Sequence, residues 1–357
     1  MKKPKRGLFR EVTSHMKTSR RSFLQTVASC GVAAAIGDVG AAAENPNSEP
    51  RVRRFPYVQI EVFASRRLEG NPLAVFTDAR GLSDSEMQAI ARETNLQETT
   101  FILPRDPAVE REHGVKVRIF VPEEEIPFAG HPTLGTAMVL RNRLNAGHGS
   151  VSPVNPALEE ISLDLKVGRI PVAFHKESNG NIFGEMRQVD PVFGQIHDRA
   201  TVAALAGLKP NDICDEWPIQ TVSTGLPFAI VPIRRLSTLQ SLQPDLKMIR
   251  LYFEKDPVLT DFYYVTRDTG NTEVGLRSRA IYPNGEDPAT GSAAGCTAAW
   301  MVRYGIAKPG ERVHIQQGVE IKRPSQIFVR AEEQGDRIVN VRVGGDAVEV
   351  MEGTFHL

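Results

Sequence analysis

"RIFVPEEEIPFAGHPTLGTA", Arg118–Ala137, and "RAIYPNGEDPATGSAAGCTA", Arg279–Ala298, align without gaps at an offset of 161 residues. Seven of the twenty positions are identical: Arg118/Arg279, Pro122/Pro283, Glu125/Glu286, Pro127/Pro288, Gly130/Gly291, Thr136/Thr297 and Ala137/Ala298. Two prolines and a glycine punctuate both copies at the same places, which argues for a duplicated structural unit and a chain of two related halves. Each copy reads as a strand, a proline-containing turn and a helix. In the first, Val115, Val117, Ile119 and Val121 share one strand face. Pro132 then suits the first helical position, where its missing N–H costs nothing, and Leu134, Ala137 and Met138 continue an apolar face. In the second, Ala293, Ala294, Gly295, Ala298 and Ala299 make a slim helix that a sheet can wrap closely.

Small residues at a helix start leave backbone N–H groups uncovered, and with the helix dipole these form a site for a carboxylate or oxyanion. Two such starts related by pseudo-symmetry would face each other across a cleft, with His131 and Ser292 at the same offset. A small anionic substrate held there needs only a proton carrier at its reactive carbon. Taken singly, Asp287 is equally a turn or cap, Ser292 a helix hydroxyl and His131 a packed side chain, so position alone leaves both readings open.

Between residues 57 and 103 the pattern is strand, turn, strand, helix, strand. Tyr57–Phe63 and Leu73–Phe76 flank the turn Gly70-Asn71-Pro72. Ser83 and Glu86 form a capping box, Leu82 and Met87 can staple across it, and the helix should stop near Asn95. Glu98–Leu103 reads as a strand, which puts Glu98 at a helix-to-strand junction where a carboxylate can point into a cleft.

At 357 residues, 41% of them hydrophobic, the chain is long enough for two ordinary cores. The first 43 residues carry eight Lys/Arg and two acids, leaving 35 basic against 41 acidic residues beyond, and that acidic balance argues against a nucleic-acid partner. Ser19-Arg20-Arg21-Ser22-Phe23-Leu24-Gln25, a weakly apolar run and Ala41-Ala42-Ala43 resemble a twin-arginine export signal with its cleavage site. Residues 1–43 are thus expected to be a leader, starting at Met1 or Met16, and 44–54 a linker; the alternative is a basic tail on a cytoplasmic protein. The expected location is the periplasm, with no membrane association after processing, since no stretch reaches spanning length. Cys214 and Cys296 demand no disulfide, the histidines lack metal-site spacing, and dinucleotide and phosphate-loop signatures are missing, so neither metal nor cofactor is expected.

"FASRRLEGNPLAVF", "NLQETTF", "PFAGHPTLGTA", "EDPATGSAAG" and "QQGVEIKRPS", in that order, resemble the PhzF-like phenazine-biosynthesis isomerase family over about residues 57–357. The resemblance implies an α+β fold similar to diaminopimelate epimerase: two pseudo-symmetric domains, each a curved hemi-barrel sheet around a central helix, with the active site between them. Here these would be residues 55–176 and 177–352, with 353–357 returning as a strand to the first. It implies homodimers. It also implies that Glu98 is the proton-transferring carboxylate, with His131, Asp287 and Ser292 orienting substrate and relaying protons. Gly130, Thr133, Gly291 and Ala293 would hold the substrate carboxylate. Cofactor-independent racemases of this fold place a cysteine in each half, where this chain has Ala129 and Thr290. Lys322 stands where the family commonly has Gly and Cys296 where Pro is frequent, so the implied substrate is limited to a small cyclic or unsaturated carboxylic acid. The rivals are a two-base amino-acid epimerase or racemase and a non-catalytic small-anion binder.

Overall fold

Arg118 and Arg279, partners in the duplicated stretch, make the same bidentate grip in both copies. Arg118 donates to both carboxylate oxygens of Glu125 (2.9 and 2.6 Å), and Arg279 to both of Glu286 (3.0 and 2.6 Å). Each pair staples a strand to the short strand that turns back on it, and both are largely withdrawn from water, where a forked charge-assisted pair is strongest. The repeat is therefore a repeat of structure.

The computed structural model describes residues 52–145, 159–178, 180–254, 261–283 and 285–357. The expected leader, residues 1–43, and all of the linker before residue 52 lie outside the described residues. A first series runs β1 (Arg54–Val62), β2 (Asn71–Phe76), α1 (Asp84–Thr94), β3 (Glu98–Ile102), α2 (Pro107–His113), β4 (Val115–Phe120), β5 (Glu125–Ile126), α3 (Gly130–Asn145), β6 (Glu160–Leu165), β7 (Gly168–Lys176) and β8 (Ile182–Arg187). A second series opens with β9 (Val192–His197), α4 (Arg199–Leu205), β10 (Ile219–Ser223), β11 (Pro227–Pro232), α5 (Leu236–Gln240) and α6 (Leu246–Phe253). It continues through β12 (Asp261–Thr266), β13 (Leu276–Tyr282), β14 (Gly285–Asp287), α7 (Gly291–Arg303), β15 (Val313–Gln317), β16 (Ser325–Gln334), β17 (Arg337–Gly345) and β18 (Ala347–His356).

The pairing order in the two series is the same. β1 lies antiparallel to β2, β2 parallel to β3, β3 antiparallel to β4, β4 parallel to β6, then β7 and β8 follow antiparallel. β10, β11, β12, β13, β15, β16 and β17 repeat that sequence of directions. The last strands of the two series, β8 and β17, pair antiparallel and fuse them into one curved sheet. The strand after each then pairs with a first strand: β9 with β10, and β18 with β1 from Arg54/His356 to Val62/Ala347. The architecture is the α+β, doubled curved sheet expected, with α3 and α7 as the two central helices.

Both helices are swallowed by the sheet. Residues 291–302 of α7 are buried throughout, and its Trp300 donates to the Pro218 carbonyl (3.1 Å). Leu134, Ala137 and Met138 of α3 join Ala293, Ala298 and Trp300 of α7 in one continuous core. The small residues are sterically required: a methyl on Gly295 would fall 1.9 Å from the Gln188 side-chain oxygen, and one on Gly135 within 2.7 Å of Val62 and Leu73. The marked helix α1 has Ser83 as N-cap with the full capping box and ends on Asn95 in the left-handed conformation. One local difference appears at α3, which begins at Gly130, so Pro132 is its third residue and removes a donor from the first turn.

The two central helices meet tip to tip. A methyl on Gly130 would come within 2.8 Å of the Gly291 carbonyl carbon and the Ser292 nitrogen, a distance no backbone can yield cheaply. Gly130→Ala is expected to destabilise by about 1–3 kcal/mol through this overpacking, read by urea denaturation. Gly194→Ala, whose methyl would meet Thr221 at an ordinary 3.4 Å, should stay within about 0.5 kcal/mol.

Candidate active site

Where the helix tips meet, the sheet leaves a cavity of about 200 Å³, with Gly130, His131, Gly291, Ser292, Glu98 and Asp287 in its lining. Ser292 and Gly291 open α7, which follows Thr290 as cap; the Ala294 N–H donates to the Thr290 carbonyl (2.9 Å). By helix geometry the first-turn donors of α7, on Gly291, Ser292 and Ala293, have no intrahelical acceptor. In α3 the Thr133 N–H makes the equivalent bond to Ala129 (3.3 Å), but Pro132 has no N–H, so this tip offers one donor fewer. The richer anion site is therefore the tip of α7. Thr133 and Ala293 are fully buried and lie behind the lining; the Thr133 hydroxyl donates to the Ala129 carbonyl (2.7 Å).

Glu98 heads β3, and its Oε2 lies 3.5 Å from His131 Nε2. Neither atom has a hydrogen-bond partner among the described residues. Burial, reinforced by the charge of Asp287, pushes the Glu98 carboxyl well above the usual carboxylate range. Burial drives the His131 ring the other way, down to about 3, against the support of the Pro72 carbonyl. A ring so depressed is neutral at ordinary pH, and its contact with Glu98 is not an ion pair.

Asp287 closes the triangle. Burial pushes it up to about 6, opposed by hydrogen bonds from Thr290, the Ala289 N–H and Asn71. Its Oδ2 accepts from the Thr290 hydroxyl (2.7 Å). Its Oδ1 accepts from Asn71 Nδ2 (2.7 Å), which also lies 3.0 Å from the Ala289 carbonyl and 3.1 Å from His131 Nδ1. Asn71 thus ties the acid of one series to the imidazole of the other. Behind Asp287, Gln317 Nε2 donates to its carbonyl (2.8 Å) and to the Thr290 hydroxyl (2.9 Å), while Gln317 Oε1 accepts from the Thr290 N–H (3.1 Å) and from Tyr263 (2.8 Å).

The site residues that sequence reasoning missed are Asn71, Gln317 and Asp261, which also lines the cavity. Asn71 looked like a turn residue before proline, and Gln317 sits inside "QQGVEIKRPS" without a chemical signature of its own. Ala129 and Thr290, which the sequence comparison set against racemase cysteines, both line the cavity, and neither is a thiol. Cys296 is buried in α7, 3.4 Å from the Thr224 hydroxyl, with its thiol pushed up to about 11 by burial. Among the described residues no group of three or more His, Cys, Asp and Glu is arranged to hold a metal ion, and both cysteines are free.

The phenazine biosynthesis-like protein family model matches residues 60–353. The chain is 34% identical over 304 residues to a trans-2,3-dihydro-3-hydroxyanthranilate isomerase of Pseudomonas aeruginosa, covering 84% of this chain and 99% of that one. A predicted epimerase of Pseudomonas aeruginosa superposes with a TM-score of 0.68 at 33% identity, over 84% of this chain and 99% of its own. A PhzF-family phenazine biosynthesis protein of Bacillus anthracis gives a TM-score of 0.73 at 24% identity, over 85% of this chain and 99% of its own.

The elevated carboxyl of Asp287 makes stability depend on pH in a defined direction. With its folded value near 6 and an unfolded value of 3.8, its contribution is fully present below pH 3.8 and is lost as pH rises through 6. Stability of Asp287→Asn relative to the parent, from urea curves at successive pH, should therefore improve by up to about 3 kcal/mol across that window. A flat difference would show that Asp287 is ionised as easily as in water.

Proposed function

The chain is an isomerase of the phenazine biosynthesis-like (PhzC-PhzF) family, and from that premise we propose that Glu98 moves a proton between two carbons of a small cyclic or unsaturated carboxylic acid. The observation that carries this reading is the buried, raised carboxyl of Glu98, unpartnered at Oε2 and aimed into a cavity whose floor is two helix tips. A substrate carboxylate at the tip of α7 accepts from the N–H groups of Gly291 and Ser292, which also stabilise the extra charge when the neighbouring carbon loses its proton. Glu98 takes that proton as the base. Its raised pKa brings the protonated form within reach at working pH, so the same carboxyl returns the proton to a second carbon.

His131, neutral and 3.5 Å from Glu98, orients that carboxyl and offers a relay without competing for the charge. Asp287, held by Asn71 and Thr290, raises Glu98 electrostatically and faces the same ligand. With Ala129 and Thr290 at the helix starts, the two-thiol route of amino-acid racemases has no groups to run on. One carboxyl serving two carbons is the economical scheme. The phenazine relative's dihydro-hydroxyanthranilate is the leading candidate substrate, and the twin-arginine-like leader favours action outside the cytoplasm.

Solvent-deuterium incorporation into a panel of cyclic and unsaturated acids, followed by mass spectrometry, tests the base. Glu98→Gln should slow exchange by about 10²–10⁴-fold, the worth of a positioned acid–base group. In the parent, exchange should rise with pH as Glu98 ionises, with the midpoint displaced upward from the ordinary carboxylate value of 4.5. Exchange that survives the substitution would remove Glu98 as the base; binding without exchange would leave an anion-binding protein.

A further inference from the structure

The tip of α3 carries an imidazole whose proton can sit on either ring nitrogen, and the surroundings of Asn71 decide which. Asn71 is fully buried at the head of β2. Its Nδ2 lies 3.0 Å from the Ala289 carbonyl, 2.7 Å from Asp287 Oδ1 and 3.1 Å from His131 Nδ1. A backbone carbonyl can only accept, so the amide atom facing it must be the nitrogen. Turning the amide over would set its oxygen against that carbonyl and against Asp287. The orientation holds although it leaves Asn71 Oδ1 buried without a partner among the described residues, a cost that calls for a compensating role.

That orientation reaches the ring. An amide NH2 donates and does not accept, so the ring nitrogen 3.1 Å from it must offer its lone pair, and the single proton of the neutral ring goes to Nε2. The Pro72 carbonyl pulls the other way, since it favours a proton on the ring. A proton on Nδ1, however, would point at a nitrogen that already carries two hydrogens. Nε2 lies 3.5 Å from Glu98 Oε2, and both atoms are buried without a partner among the described residues, a separation that a bound ligand can tighten. The second series has no such device. At the offset of 155 that matches Gly70, Pro72 and Ala74 to Gly225, Pro227 and Ala229, Asn71 falls on Leu226, and the helix tip there carries Ser292 in place of His131. Of the two series, the amide stands in the one that has an imidazole to orient.

We propose that Asn71 is a positioning residue for the reaction: it fixes the tautomer of His131 so that the ring presents an N–H, and no lone pair, to the cavity. This rests on the reading of Glu98 as the base. With its lone pair committed to Asn71, the ring cannot take a proton inside the cavity, so abstraction falls to Glu98 alone. Its Nε2–H donates to the Glu98 carboxylate, or to a ligand oxygen, as charge appears there. The fixed point of this chain of contacts is the Ala289 carbonyl, two residues before α7. The segment that opens one central helix thus sets the proton on the imidazole at the tip of the other.

Nitrogen NMR of protein labelled at its histidine rings, at about pH 7 where this ring is neutral, reads the tautomer directly, with His131 assigned by the signals lost in His131→Gln. The parent should show a protonated Nε2 and a bare Nδ1. Asn71→Leu removes the donor and Asn71→Asp replaces it with an acceptor, so both should shift the proton toward Nδ1, a change that a merely structural role would not produce. Each should also slow deuterium exchange about tenfold, the worth of one hydrogen bond to a charged group. A proton on Nδ1 in the parent, a parent-like tautomer in a folded variant, or exchange undiminished after the tautomer has moved would each overturn the assignment; if neither variant folds, the parent spectrum decides. Exchange that survives Glu98→Gln while the tautomer behaves as expected would instead remove the base and leave the hold of Asn71 on the ring in place.

Discussion

Two helices of like polarity are pressed together at their positive ends, and the rest of the molecule is arranged around that contact. Each N-terminus carries the equivalent of about half a positive charge, so the meeting of Gly130 with Gly291 is unfavourable in itself. What holds the tips there is the sheet. Its two series close around α3 and α7, fuse at β8/β17 and bury both helices in one core. What offsets the repulsion is the acids beside the tips, Asp287 and Glu98, to the extent that each is ionised, and in the proposed function a ligand carboxylate would add to them. The glycines are at the contact because any side chain would separate the poles and open the site.

Ties across the pseudo-twofold axis keep this contact in register. Asn71 reaches from the start of β2 to Asp287 and the Ala289 carbonyl, and Gln188 donates from the end of β8 to the Gly291 carbonyl (3.0 Å). Arg323 pairs with the buried Glu61 and donates to the carbonyls of Glu69 and Gly70 (each 2.9 Å), clamping the β1–β2 turn from the second series. Gly70 itself adopts φ +71 with Val62 and Ala64 pressed where a side chain would stand. The turn that delivers Asn71 is thus fixed from both sides, and a buried amide amid three acceptors is a precise spacer only if its backbone cannot move.

How much of this was written plainly in the sequence depended on whether the information was local. The capping box at Ser83 and Glu86 and the Asn95 stop are local and appear in the structure as read; the alternation of β4 holds at Val117 and Ile119, while the strand ends at Phe120, one residue short of Val121. The 161-residue repeat was legible because Arg118/Glu125 and Arg279/Glu286 must keep their spacing to form the same bidentate pair. The correspondence of Glu98, which pairs with Leu73 across β2/β3, to Asp261, which pairs with Phe228 across β11/β12, was not, because the offset changes to 155 at β2/β11 and a window of fixed register misses it. Asn71 and Gln317 act through partners hundreds of residues or whole strands away, which no local pattern announces. Lys322 has a backbone reason for its oddity: it adopts φ +62, a conformation that Gly takes freely and a lysine takes at a cost.

The symmetry of the scaffold is broken at the cavity as well as in the peripheral helices. A fully symmetric site would present equal acids from both series and favour the exchange of a proton across the two faces of one carbon. Here the first series brings Glu98 and His131 where the second brings Asp261 and Ser292, and Pro132 removes from α3 a donor that Ala293 carries on α7. In the proposed function the anion would therefore have one preferred pole and the base one preferred side. In the proposed reaction a ligand anchored at α7 would present two of its carbons in succession to the single carboxyl of Glu98, so the same doubled scaffold would move a hydrogen along a carbon chain and not invert one centre.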